Sequence, residues 1–127
     1  MRPRVHNGAV RAVRCAEGAV GVVDVAEPAG PGVKVRVASS GICGSDHHFV
    51  EQFPLPVTLG HEFAGFLDDG TAVAVEPLDP CWSCPPCTAG AYQLCVRGPA
   101  ITLGIGSDGG MAESCLVPES AVVPLPP

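Results

Sequence analysis

Apolar and polar residues alternate in short runs separated by turn formers, and the runs predict strands. Val33-Lys34-Val35-Arg36-Val37 alternates strictly, which puts its three valines on one face of a strand. Residues 20–25 form a second, valine-rich run, and Glu27-Pro28-Ala29-Gly30-Pro31-Gly32 between the two reads as a turn. Residues 63–67 and 71–75 flank Asp68-Asp69-Gly70. Asp-Gly predicts a hairpin there, because both residues can take positive φ. Residues 111–117 and 121–125 supply two further strands around a turn at Pro118. Helical signal is confined to a short turn after Cys43, with Ser45 or Asp46 as its N-cap. No segment sustains a 3.6-residue period for three turns, and no repeat or low-complexity tract occurs.

Composition sharpens this into a mainly β, loop-rich domain. The 127 residues include 16 glycines and 14 prolines, too many for a helical bundle, while 46 % apolar and 16 % charged residues argue against disorder. One domain fits the length. Net charge is −6 and Lys34 is the single lysine. That balance opposes nucleic-acid binding, including by a zinc ribbon, and opposes a polybasic membrane contact. No run approaches the ~20 apolar residues of a membrane span. The first thirteen residues lack the apolar stretch of a secretory signal, so a cytoplasmic location is expected. The apolar, proline-stopped ending Leu125-Pro126-Pro127 reads as a domain boundary.

Seven cysteines is an odd number, and four of them lie within fifteen residues. In a reducing compartment this favours metal ligation over a disulfide scaffold. Cys81, Cys84, Cys87 and Cys95 give C-x2-C-x2-C-x7-C, a spacing that wraps one Zn²⁺ with four thiolates and leaves no open position. Such a zinc is structural, and an iron–sulfur cluster is its competitor. Trp82 and Tyr92 read as packing residues of this lobe, residues 79–98. Cys15 and Cys115 are left over and are expected to be reduced and unliganded.

Upstream lie Gly41-Ile42-Cys43-Gly44-Ser45-Asp46-His47-His48 and Gly60-His61-Glu62-Phe63-Ala64-Gly65. Thiolate plus imidazole suits zinc, and three protein ligands with a free position make a catalytic site. Spacing alone leaves this open against a buried cysteine beside solvent-facing histidines.

Cys43-Gly-x-Asp46, Gly60-His61-Glu62-x-x-Gly65 and the four-cysteine lobe stand in the order found in zinc-dependent medium-chain alcohol dehydrogenases. The chain resembles their N-terminal catalytic domain, a GroES-like partly open β-barrel with a protruding zinc lobe, over essentially its whole length. The resemblance implies that Cys43 and His61 ligate a catalytic zinc, that Glu62 is the neighbouring carboxylate that coordinates it directly or exchanges with water, and that Asp46 fixes the His61 tautomer. Ser45 resembles the hydroxyl that takes the substrate proton, and His48 the outer end of that relay. His47 reads as a surface residue, and His6 receives no role. The implied reaction is oxidation of an alcohol or polyol through a zinc alkoxide, with hydride transfer to NAD or NADP. The short Gly-Ile-Cys-Gly-Ser-Asp form is closest to the polyol and threonine dehydrogenase branches.

Three departures accompany the match. The third catalytic zinc ligand of the family lies beyond residue 127, and so does its Rossmann cofactor domain. The chain is therefore expected to be inactive by itself, and a homo-oligomer is expected only of the full-length enzyme. The segment from Gly65 to Thr71 is also shorter than usual and reads as a trimmed surface hairpin. Gly104-Ile105-Gly106-Ser107-Asp108-Gly109 fits the dinucleotide fingerprint G-x-G-x-x-G, but no helix pattern follows it, so it reads as a glycine-rich loop. A different class of function, a stand-alone zinc-stabilised GroES-like binding module, is opposed by the joint presence of Cys43, Ser45, Asp46, His48, His61 and Glu62.

Overall fold

A computed structural model describes residues 8–52 and 54–127; His6 lies outside the described residues. Strands β1 (Ala9–Ala16) and β2 (Ala19–Ala26) form an antiparallel hairpin in register from Ala9↔Ala26 to Ala16↔Ala19. Strand β1 is not among the expected elements. Its sequence AVRAVRCA repeats with period three rather than two, which hides it from an alternation test. Its turn is equally inconspicuous: Glu17 (φ 53°) and Gly18 (φ 77°) both sit in the left-handed region. A two-residue turn of that kind matches the strand twist, although glutamate is an unusual first residue for it.

The remaining strands are β3 (Val33–Ser40), β4 (Phe63–Phe66), β5 (Ala72–Val75), β6 (Ser114–Val117) and β7 (Val122–Pro124). They pair antiparallel in the order β6-β3-β4-β5-β7 and curl into a half-barrel. The mainly β, partly open barrel expected from the sequence is the observed architecture. The expected strand at 111–117 is shorter than anticipated. Residues 111–113 instead tie the hairpin to the sheet: Val13 N–H donates to Met111 O (2.8 Å) and Glu113 N–H to Arg11 O (3.1 Å). β7 sits at the sheet edge, where Pro124, with no N–H to give, is tolerated. At the β4–β5 hairpin only Gly70 takes positive φ (89°). Asp69 does not; its carboxylate accepts the Thr71 N–H instead (2.9 Å).

The core lies inside the half-barrel, where Val35, Val73, Val117 and Cys115 are fully buried beside Phe63, Val75 and Leu103. Burial pushes the Cys115 thiol up to about 12, so it stays a neutral apolar filler. Val73→Ala should leave a cavity and cost about 2 kcal/mol. Denaturant unfolding monitored by circular dichroism would measure this loss.

The glycine-rich segment is a loop. Gly104 N–H donates to Ser107 O (2.7 Å), and the chain then runs through 110–113 into β6 with no helix. Helix α1 (Gly44–Gln52) is longer than the single turn expected, and its start corrects the capping assignment. Neither Ser45 nor Asp46 is the cap. The Asp46 Oδ2 reaches back to accept the Cys43 N–H (2.9 Å), the carboxylate half of a capping box, so Cys43 stands at the helix entrance.

Candidate active site and metal centres

The four-cysteine lobe has its own small core of Cys84, Cys87, Cys95 and Ile101, with Leu78 and Tyr92 against it. Helix α2 (Pro85–Thr88) and a 3₁₀ turn at Tyr92–Leu94 carry the chain around it. Its sulfurs converge: Cys81–Cys87 4.0 Å, Cys84–Cys95 3.9 Å and Cys81–Cys95 3.6 Å. The edge of a tetrahedron with ~2.3 Å metal–sulfur bonds is about 3.8 Å, so the set is the size of one zinc ion. All four ligand atoms lie within 4.8 Å of one another, which leaves no room between them for the irons and sulfides of a cluster.

Backbone amides prepare the thiolates. N–H groups of Ser83 and Cys84, with the Ser83 hydroxyl, hold the Cys81 thiol down to about 5. Those of Val96 and Cys87 lower Cys84. Cys87 goes the other way, pushed up to about 12 chiefly by burial and next by the Cys84 thiol. A bound cation would reverse that, since a coordinating thiol is deprotonated outright. The Cys81–Cys84 turn places Trp82 at φ 58°. Its ring meets Tyr92 at 5.1 Å between centroids but remains half exposed. Tyr92 is anchored by donating its hydroxyl proton to Glu76 Oε1 (2.7 Å).

The second group assembles where α1 begins and where the chain enters β4. Ligand atoms of Cys43, His61 and Glu62 all lie within 4.8 Å of one another, although the first two are eighteen positions apart in sequence. Glu62 leans over Gly41: a Cβ at Gly41 would lie 3.0 Å from Glu62 Oε2, and Gly41 N–H donates to Glu62 O (2.7 Å). The two nitrogens of His61 face different partners. Nδ1 is 3.4 Å from Asp46 Oδ1, and Nε2 is 3.2 Å from Ser45 Oγ.

Asp46 was expected to hydrogen-bond His61. The pair is close, but at this distance and angle Nδ1 makes no hydrogen bond and is left buried without one. Asp46 Oδ2 is committed to the Cys43 N–H, which fixes the carboxylate's orientation. Nδ1 thus faces a carboxylate and Nε2 the Ser45 hydroxyl, and thiolate, imidazole and carboxylate together form a donor set that suits zinc. His48 stands exposed on α1, three residues past Ser45 and so on the same helix face; its ring meets Phe49 edge-on (centroids 6.0 Å). His47 is exposed, as expected of a surface residue. A groove of about 480 Å³ between the hairpin and β3 reaches Ser40 and Ile42 but is lined by none of Cys43, Ser45, His61 or Glu62.

Comparison with known proteins gives the same reading of the architecture. The alcohol dehydrogenase GroES-like domain profile matches residues 30–127. Galactitol 1-phosphate 5-dehydrogenase of Escherichia coli K12 is 39 % identical over 131 aligned residues, covering 84 % of this chain and 36 % of that protein. Among solved structures, an alcohol dehydrogenase of E. coli CFT073 complexed with NADH superposes with TM-score 0.84 at 28 % identity, over 94 % of this chain and 39 % of that one. A cobalt- and zinc-bound thermostable alcohol dehydrogenase from Pyrobaculum aerophilum superposes at 0.80 and 29 % identity, over 91 % and 41 %. The chain thus spans roughly two-fifths of the length of these relatives. Half-barrel, four-thiol lobe and matched span agree: the chain belongs to the GroES-like domain family of the alcohol dehydrogenases.

Proposed function

We propose that residues 1–127 are the substrate- and zinc-binding domain of a zinc-dependent alcohol or polyol dehydrogenase that uses NAD or NADP held by a Rossmann domain elsewhere in the protein. The observation that carries this is the Ser45 hydroxyl 3.2 Å from His61 Nε2, beside the thiol of Cys43 and the carboxylate of Glu62. A structural zinc on Cys81, Cys84, Cys87 and Cys95 would hold the lobe. A second zinc on Cys43, His61 and Glu62 would act as a Lewis acid that lowers the pKa of a substrate hydroxyl.

The chain's own residues do the rest. Asp46 faces Nδ1 of His61 and favours the tautomer that leaves Nε2 unprotonated. Ser45 Oγ would accept the substrate's hydroxyl proton while giving up its own, so that the serine relays a proton and gains no charge. His48, one turn further along α1 and open to solvent, would be the outer end of that relay, reached through intervening water and releasing a proton to solvent. A substrate carbon so prepared can give hydride to a nicotinamide, and a relative of this fold is known with NADH bound. The relative acting on galactitol 1-phosphate supports a polyol-type secondary alcohol as the substrate class. A binding module without chemistry would need neither the hydroxyl nor the three donors at this point.

The test is cofactor reduction by the protein joined to its Rossmann domain, over a panel of secondary alcohols, polyols and polyol phosphates. Ser45→Ala should lower kcat by about 10²–10⁴-fold, the usual worth of a positioned proton acceptor, and leave zinc content unchanged. Absence of turnover with every alcohol, or an unaffected Ser45→Ala rate, would refute the proposal.

A further inference from the structure

The backbone that delivers His61 is gripped from two sides. On one, Leu59 N–H donates to Val13 O of β1 (2.9 Å). On the other, the end of the glycine-rich loop follows it step for step: Gly109 N–H to Thr58 O (2.8 Å), Met111 N–H to Leu59 O (2.8 Å) and Gly110 N–H to Gly60 O (2.9 Å). The contact admits no side chain. A Cβ at Gly109 would lie 2.0 Å from Gly60 O, one at Gly104 2.6 Å from it, and Gly60 itself sits at φ +101°. The G-x-G-x-x-G pattern of this chain is therefore the mould for the turn into His61, not a phosphate cradle.

One side chain locks mould to segment. Asp108 Oδ1 accepts the Thr58 N–H (2.7 Å) and a proton of Arg14 Nη2 (3.2 Å), and Arg14 Nε donates to Thr58 Oγ1 (3.3 Å). The Asp108–Arg14 ion pair is partly exposed and contributes little by itself. Thr58 is different: it is 3 % exposed, so its N–H loses a partner that water cannot readily replace if the acceptor goes.

We propose that Asp108 is a positioning residue for the metal site, acting through the Thr58 N–H and the 58–60 backbone to hold the His61 imidazole against Cys43 and Glu62. Asp108 is not itself among the donor atoms. The inference rests on the reading of Cys43, His61 and Glu62 as zinc ligands. Residues that orient a ligand from behind typically carry about 10–100-fold in metal affinity.

The test uses the 127-residue chain with its four-thiol site already loaded with zinc. Co²⁺ is titrated into the second site and followed by the thiolate-to-cobalt charge-transfer absorption that Cys43 would give. Asp108→Ala should weaken cobalt binding by about tenfold or more. Asp108→Asn keeps a carbonyl oxygen for Thr58 N–H and should restore most of the affinity. Val75→Ala, a core change on β5, should lower the melting temperature without moving cobalt affinity. Wild-type affinity in Asp108→Ala, no rescue by Asn, or an equal loss in Val75→Ala would each overturn the proposal. If Asp108→Ala loses its cooperative melt, Asp108→Glu, which displaces the carboxylate by one methylene, replaces it, and undiminished affinity there overturns the proposal. A wild-type chain that gives no charge-transfer band at all instead removes the second zinc site, and this inference with it.

Discussion

Replacing His61 with alanine is expected to abolish alcohol oxidation by the protein joined to its Rossmann domain and to reduce its zinc content from two ions per chain to one. Removing the imidazole takes away one of the three donors that this domain offers and leaves from it a thiol and an exposed carboxylate. Losing one of the few protein ligands of a catalytic zinc leaves the ion held too weakly to persist. Lewis-acid stabilisation is worth several kcal/mol, and each ~1.4 kcal/mol is tenfold, so the loss in kcat/KM should be about a thousandfold or greater. Metal analysis and cofactor reduction on the same preparation check both halves. The 127-residue chain assayed alongside should show no turnover, because hydride transfer requires a nicotinamide held in attack geometry. No βαβ unit to hold one occurs among the described residues. Retained activity in His61→Ala would remove the zinc assignment.

Cys87→Ser carries the second large effect, on stability. Cys87 is buried at the centre of a small cluster whose other buried members are Cys84, Cys95 and Ile101, so the lobe has almost no apolar packing to fall back on. For such a segment the energy of metal binding is folding energy. The variant should lose the tightly held zinc, expose the Trp82–Tyr92 pair and lower the melting temperature by about 10 °C or more. In domains of this size 1 kcal/mol corresponds to about 2–8 °C. Calorimetry, tryptophan fluorescence and zinc stoichiometry check this. The same pattern should follow prolonged chelation of the wild-type chain, and re-addition of zinc should reverse it. An unchanged melt with full zinc content would mean that three thiols and a hydroxyl suffice.

How legible each part was depends on how far apart its members lie in sequence. The strict alternation of Val33 to Val37 marks β3 because its inward valines meet the core and its outward residues meet solvent. β1 carries no alternation because its period-three sequence is held by neighbours, β2 on one side and residues 111–113 on the other, rather than by a buried face of its own. The strand expected from Met111 shortened for the same reason: its first residues serve the hairpin instead of the sheet. The helix after Cys43 was visible only as a capping signal, and its start shifted because Asp46 works backward onto Cys43.

The sequence by itself determined the four-thiol lobe, since two- and seven-residue spacers leave the sulfurs little choice but to converge, and a short chain closes such loops at small entropic cost. It also determined which residue types could hold a second ion and that the domain would be mainly β. Only the tertiary structure decided that Cys43 and His61 meet, that the His61 nitrogens divide between Asp46 and Ser45, and that the glycine-rich loop backs Gly60. Those arrangements depend on hydrogen bonds between residues forty and more positions apart, such as Thr58 with Asp108 and Leu59 with Val13. Local pattern carries no record of such pairings, because any extended segment can offer the same N–H and C=O groups; packing of the whole half-barrel selects among them.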